Sequence, residues 1–172
     1  VWAVQANRDD YCYAYDVALD AQDNIYIAGS TKYGLHEAFP VDASSILSMD
    51  YFITKYNLEG VRDWTRVWGT ATHDWANGMV VDAGGNVVVL GTSLKEGGST
   101  HDAMYARFSP DGVMNNYLLT TGGYSEYFNG GSFASDGHLV INGALSGGTM
   151  IPGENPVHLG LNLLMKVTED GT

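Results

Sequence analysis

The chain has 172 residues, enough for one domain with a sizeable core. Twenty acidic residues against eight lysines and arginines give a formal net charge of −12 with no basic cluster, a balance that argues against nucleic-acid or anionic-membrane binding, since both need concentrated positive charge. A 45% hydrophobic content, eleven tyrosines and four tryptophans argue against disorder, and no apolar run reaches the roughly 18 residues of a membrane span.

In chain order, Val1-Trp-Ala-Val-Gln5 reads as a short strand, because it aligns without gaps on Asp63-Trp-Thr-Arg-Val67 further along. Cys12 is the only cysteine, so no internal disulfide forms, and it is expected to act as a small buried hydrophobe. The first full set of strands is predicted near Val17–Asp20, Asn24–Ala28, Tyr51–Tyr56 and Arg62–Trp68. A second set follows near Gly78–Asp82, Asn86–Leu90, Ala103–Phe108 and Val113–Leu119. Its hairpins turn at Ala83-Gly84-Gly85 and Ser109-Pro-Asp-Gly112. A third set, near Ser132–Ala134, Leu139–Asn142 and Asn162–Val167, reaches Gly171-Thr172 before any fourth strand.

These sets are copies of one repeat. Asp20-Ala-Gln-Asp-Asn-Ile-Tyr-Ile-Ala-Gly29 returns as Asp82-Ala-Gly-Gly-Asn-Val-Val-Val-Leu-Gly91 and, more faintly, as Ala134-Ser-Asp-Gly-His-Leu-Val-Ile-Asn-Gly143. A second module, Tyr51 to Gly60, returns at Ala103–Gly112 and Asn162–Gly171. Copies stand about 50 to 60 residues apart, a period typical of stacked repeats that bury their faces against one another. The unbroken apolar run Asn86-Val-Val-Val-Leu90 suits a strand buried on both faces.

An all-β fold is therefore expected: a β-propeller of about three four-stranded antiparallel blades, near residues 16–69, 77–121 and 129–172. Lettering the strands of a blade a to d, the phase is d-abcd-abcd-abc, with residues 1–7 a fourth strand belonging to another or the closing blade. Three blades are too few to close a ring, so further blades are expected from flanking sequence or from another copy of the chain.

The stretch Asp74-x-Ala-Asn-Gly-Met-Val-Val-Asp-Ala-Gly-Gly-Asn-Val-Val-Val-Leu-Gly-Thr92 resembles the bacterial SBBP (beta-propeller repeat) family. The first copy adds Asn24-Ile-Tyr-Ile-Ala-Gly-Ser30, Asp50-Tyr-Phe-Ile-Thr-Lys55, Gly60, Trp64 and Trp68-Gly-Thr70. The likeness spans nearly the whole chain and fades in the third copy, where Ala134, His138 and Leu161 replace Asp82, Asn86 and Asp102. NHL repeats share the Asp-x-x-Gly-Asn core but continue differently and rank second. The resemblance implies a propeller in an extracellular or envelope protein of bacteria, with no general assigned activity.

Lys55, Arg107 and Lys166 occupy one equivalent, apolar-flanked position in the third strand of each copy. Such cations need an acidic partner, and structural ion pairs with Asp20 and Asp82, or with Asp74 and Glu126, are expected. Asp50 is a poor partner for Lys55, being about 16 Å along the strand and on the opposite face. The Asp20 and Asp82 hairpins lack the alternating oxygen ligands of a calcium loop and read as turns. No cofactor or metal is expected.

The connections between second and third strands, near 30–49, 92–101 and 144–160, are long and mutually unlike. Varied loops on a rigid scaffold are where binding evolves. Their rim is expected to gather His36, Glu37, His73, Asp74, Trp75, His101, Asp102, Glu154 and His158, with Trp75 and Tyr127 as stacking surfaces for a protein or carbohydrate ligand. A non-catalytic extracellular scaffold or binding module is the first expectation. A hydrolase or lyase using His73, Asp74, His101 and Asp102 is the alternative, although no triad or metal motif supports it. A filament or surface-layer component is the third.

Overall fold

The computed structural model describes residues 1–4, 11–32, 48–145 and 161–167. These residues form eleven strands and no helix. Sheet I comprises β1 (Cys12–Leu19), β2 (Ile25–Thr31), β3 (Asp50–Tyr56) and β4 (Arg62–Trp68). Sheet II comprises β5 (Asp74–Val81), β6 (Val87–Leu94), β7 (His101–Phe108) and β8 (Met114–Leu119). Sheet III holds β9 (Tyr127–Phe133), β10 (Leu139–Leu145) and β11 (Leu161–Val167). Within each sheet, strands pair antiparallel in chain order, as the strand–turn–strand alternation of the sequence predicts.

Both faces of β6 are buried, and the reason lies in its alternation. Val87 and Val89 pack with Tyr26, Ala28, Tyr51 and Ile53 of sheet I. Val88 and Leu90 point the other way, against Phe128, Leu139 and Ile141 of sheet III. Each such side chain contributes about 1.5–3 kcal/mol by leaving water, so the apolar run holds three layers together. Among the described residues, none forms such a cover on the far side of sheet I. Val17 is 63% exposed there, whereas its equivalent Met79, facing sheet I, is 6% exposed.

The first strand of each sheet starts earlier than predicted. β1, β5 and β9 begin at Cys12, Asp74 and Tyr127, several residues ahead of the expected Val17, Gly78 and Ser132. Each carries a bulge, which leaves Tyr15, Asn77 and Asn129 unpaired at equivalent positions. A bulge bends the strand and re-aims a side chain; Asn-Gly at 77–78 reads in sequence as a turn, which hid the strand running through it.

The hairpin turns follow the sequence closely. Asp23, Gly85 and Gly137 hold the same place with φ of 60°, 80° and 84°, and each donates its N–H back across the turn. Only Asp23 carries a side chain in this left-handed conformation. The Asp20 carboxylate accepts from the N–H groups of Gln22 and Asn24, the Asn24 amide and the Tyr26 hydroxyl. Asp82 likewise takes the N–H groups of Gly84 and Asn86. Both are turn-closing carboxylates.

The repeated cations pair in three different ways. Arg107 reaches Asp82 at 3.4 Å, as expected. Lys55 does not use Asp20, whose oxygens are occupied; it lies 3.8 Å from Asp63, donates to the carbonyl of Pro110 and sits over the Tyr26 ring. Lys166 pairs with Asp136 at 2.8 Å, two residues beyond the position where Ala134 replaces the usual aspartate. Neither Asp74 nor Glu126 serves these cations.

Residues 1–4 form no strand, in contrast to the expected fourth strand over 1–7, of which 5–7 lie outside the described residues. No partner strand lies beside them among the described residues. The alignment with Asp63–Val67 still holds in space, because Trp2 docks over Gly60 as Trp64 docks over Gly112.

Candidate functional site

Four rings run in sequence from sheet II to sheet III. His73 precedes β5, Trp75 is its second residue, His101 opens β7 and Tyr127 opens β9. Neighbouring centroids stand 5.6 Å apart throughout, at interplanar angles of 29°, 58° and 36°. The Tyr127 hydroxyl lies 3.4 Å from His101 Nδ1. His73 Nδ1 accepts the Met49 N–H at 3.0 Å, so that nitrogen carries no proton and the ring is held in place.

Two of these rings line an open groove of about 500 Å³. Trp75 and Tyr127 contribute apolar faces, and the bulge residues Tyr15, Asn77 and Asn129 contribute a third ring and two amides. Asn77 Nδ2 donates to the Phe128 carbonyl at 2.9 Å, joining the bulges of β5 and β9. The groove thus exists because one unpaired residue recurs in every repeat. The sequence reading placed Trp75 and Tyr127 as stacking surfaces; it missed Tyr15, Asn77 and Asn129, although they stand in one column of the ungapped alignment.

The aspartates expected beside the histidines turn elsewhere. Asp74 is fully buried, accepting from the Thr70 N–H at 2.6 Å and the Thr70 hydroxyl at 3.1 Å. Burial pushes its carboxyl up to about 6, against hydrogen bonds from Ser93 and Thr70. Asp50, its neighbour from sheet I, is 4% exposed and is pushed up to about 7 by burial and then by the charge of Asp74. The two carboxylates converge where a Cβ on Gly69 would stand.

At the next junction, the equivalent pair is Asp102 and Glu126. Here Lys95 Nζ lies 3.0 Å from Asp102 Oδ1, in poor alignment for a hydrogen bond, and 3.4 Å from Glu126 Oε2. It also donates to the carbonyls of Gly122 and Tyr124, both at 2.6 Å.

Among the described residues, no hydrogen bond joins His73 or His101 to an aspartate, and no three His, Cys, Asp or Glu side chains converge on a point that suits a metal. His36, Glu37, Glu154 and His158 lie outside the described residues. Cys12 is half-buried beside Phe52 and Val67; burial pushes its thiol up, against a hydrogen bond with Thr31. No protein-family model matches the chain, and no curated protein matches it.

Proposed function

We propose that the chain is a non-catalytic binding module for carbohydrate, its three sheets being consecutive blades of a propeller of the SBBP type, working outside the cell or in its envelope. The observation that carries this reading is the groove in which Trp75 and Tyr127 face Asn77 and Asn129. Aromatic faces take the apolar faces of sugar rings, and amides beside them hydrogen-bond to hydroxyls. The evenly spaced rings from His73 to Tyr127 extend this surface over more than one sugar unit. The separation of His73 and His101 from the buried aspartates gives no support to hydrolysis or elimination.

Titration of the chain with a panel of neutral and acidic oligosaccharides, followed by calorimetry, tests the reading. Trp75→Ala is expected to weaken binding at least tenfold while leaving the circular dichroism spectrum unchanged. Equal binding by the variant, or no saturable binding by any glycan, would sink it.

A second reading concerns assembly and rests on the contrast between Val17 and Met79. Positions that sheet I covers on sheet II, Met79 and Val81, correspond on sheet I itself to Val17 and Leu19, which are exposed. We infer that a second copy of the chain lays its own sheet there. Sedimentation should show association that rises with concentration and is lost in Val17→Asp/Leu19→Asp; a monomer at all concentrations contradicts it.

A further inference from the structure

We propose that Asp50 and Asp74 form a binding site for a hard divalent cation of the calcium class, which takes the place that the Lys95 ammonium occupies in the neighbouring repeat. The inference is independent of the glycan reading.

The repeat supplies the argument. Asp50 and Asp102 are equivalent, as are Asp74 and Glu126. At the junction of sheets II and III, one positive charge sits among four oxygens: the Asp102 and Glu126 carboxylates and the Gly122 and Tyr124 carbonyls. The corresponding set between sheets I and II is Asp50, Asp74 and the backbone of Thr70 and Thr72. There, no lysine or arginine comes within ion-pair distance among the described residues, and the alignment puts Tyr33 where the other copy has Lys95.

The Asp50 side chain carries the second observation. It is 4% exposed, faces the Asp74 carboxylate across Gly69, and accepts no hydrogen bond among the described residues. A buried carboxylate without a donor or counter-charge is costly, and two of them facing each other repel. Gly69 leaves the intervening space open, since a Cβ would stand 2.6 Å from Asp50 Oδ1. The Thr70 bonds use one lone pair on each Asp74 oxygen and Ser93 takes a third, which leaves one of the four. Two carboxylates with nearby carbonyls and water are calcium chemistry, whereas magnesium demands a stricter octahedron.

The test uses the chain stripped with a chelator and titrated with terbium, a luminescent calcium stand-in, then with calcium alone by calorimetry. The stacked Tyr51 and Trp68 rings, next in the chain to Asp50 and Gly69, serve as antenna. One site is expected, with a dissociation constant on the order of 10⁻⁴ M, weakened at least tenfold in Asp50→Asn. Lys95→Met is expected to raise the stoichiometry from one to two by vacating the equivalent cage. No terbium or calcium binding at millimolar levels overturns the proposal. Unchanged affinity in Asp50→Asn does so too, as does stabilisation by methylammonium but not calcium.

Discussion

The indole of Trp64 donates to the carbonyl oxygen of Pro110 at 2.9 Å, so the fourth strand of sheet I is tied to a turn of sheet II. Trp2 makes the same bond to Leu58, the equivalent residue one repeat earlier, at 3.0 Å. Each ring lies flat over a glycine of that turn, Gly112 or Gly60, with φ of 76° or 81°. Removing the ring and its bond together by Trp64→Ala is expected to cost about 3 kcal/mol, at the low end for a large aromatic because the residue is half-buried. Trp64→Phe keeps the packing and is expected to lose about 1 kcal/mol. Urea denaturation of both variants separates the two contributions.

Stability should depend on pH through Asp50 and Asp74. Unfolded, both titrate near 3.8; folded, they are raised to about 7 and about 6. A raised carboxyl contributes stability that is full below the unfolded value and lost as pH climbs through the folded one. In chelated buffer, the chain is therefore expected to lose a few kcal/mol between about pH 4 and pH 7 and to level off above. Tyr51 and Tyr117, which face Asp74, are raised and stay neutral throughout. Asp50→Asn should flatten the profile, as measured by denaturation at fixed pH steps.

The Arg107–Asp82 pair is structural. Arg107→Met is expected to lower stability by roughly 1 kcal/mol, as a partly exposed pair at 3.4 Å allows, and to leave glycan affinity unchanged. Thermal unfolding and the calorimetric titration of the same sample check both halves.

Asp23 holds a left-handed turn position that its equivalents give to glycine. Asp23→Gly is expected to stabilise the fold by about 0.5–1 kcal/mol, the strain relieved being partly offset by a freer unfolded chain. A rise in the thermal midpoint is the readout.

The strands, their order and the double-faced burial of Val87–Leu90 were legible because they rest on local alternation and on a repeat that aligns without gaps. The bulges were not. Asn77-Gly78 and Asn129-Gly130 carry turn chemistry inside strands, and only pairing with β6 and β10 overrides it. The rim was half legible: Trp75 and Tyr127 do share a groove, but Asp74 was expected beside the histidines and is instead drawn inward by Thr70. A side chain's choice between two faces at a strand's first residue depends on contacts distant in sequence. The Asp136–Lys166 pair escaped for the same reason, since the compensating acid moved two positions along its turn.

Tyr15, Asn77 and Asn129 form no rungs of their ladders. Their side chains are thus released from the demands of strand pairing, while their neighbours remain bound by them. Tyrosine and asparagine already alternate at this position with the same backbone beneath. The lining of the groove can consequently change one repeat at a time while the strand register beneath it stays as it is.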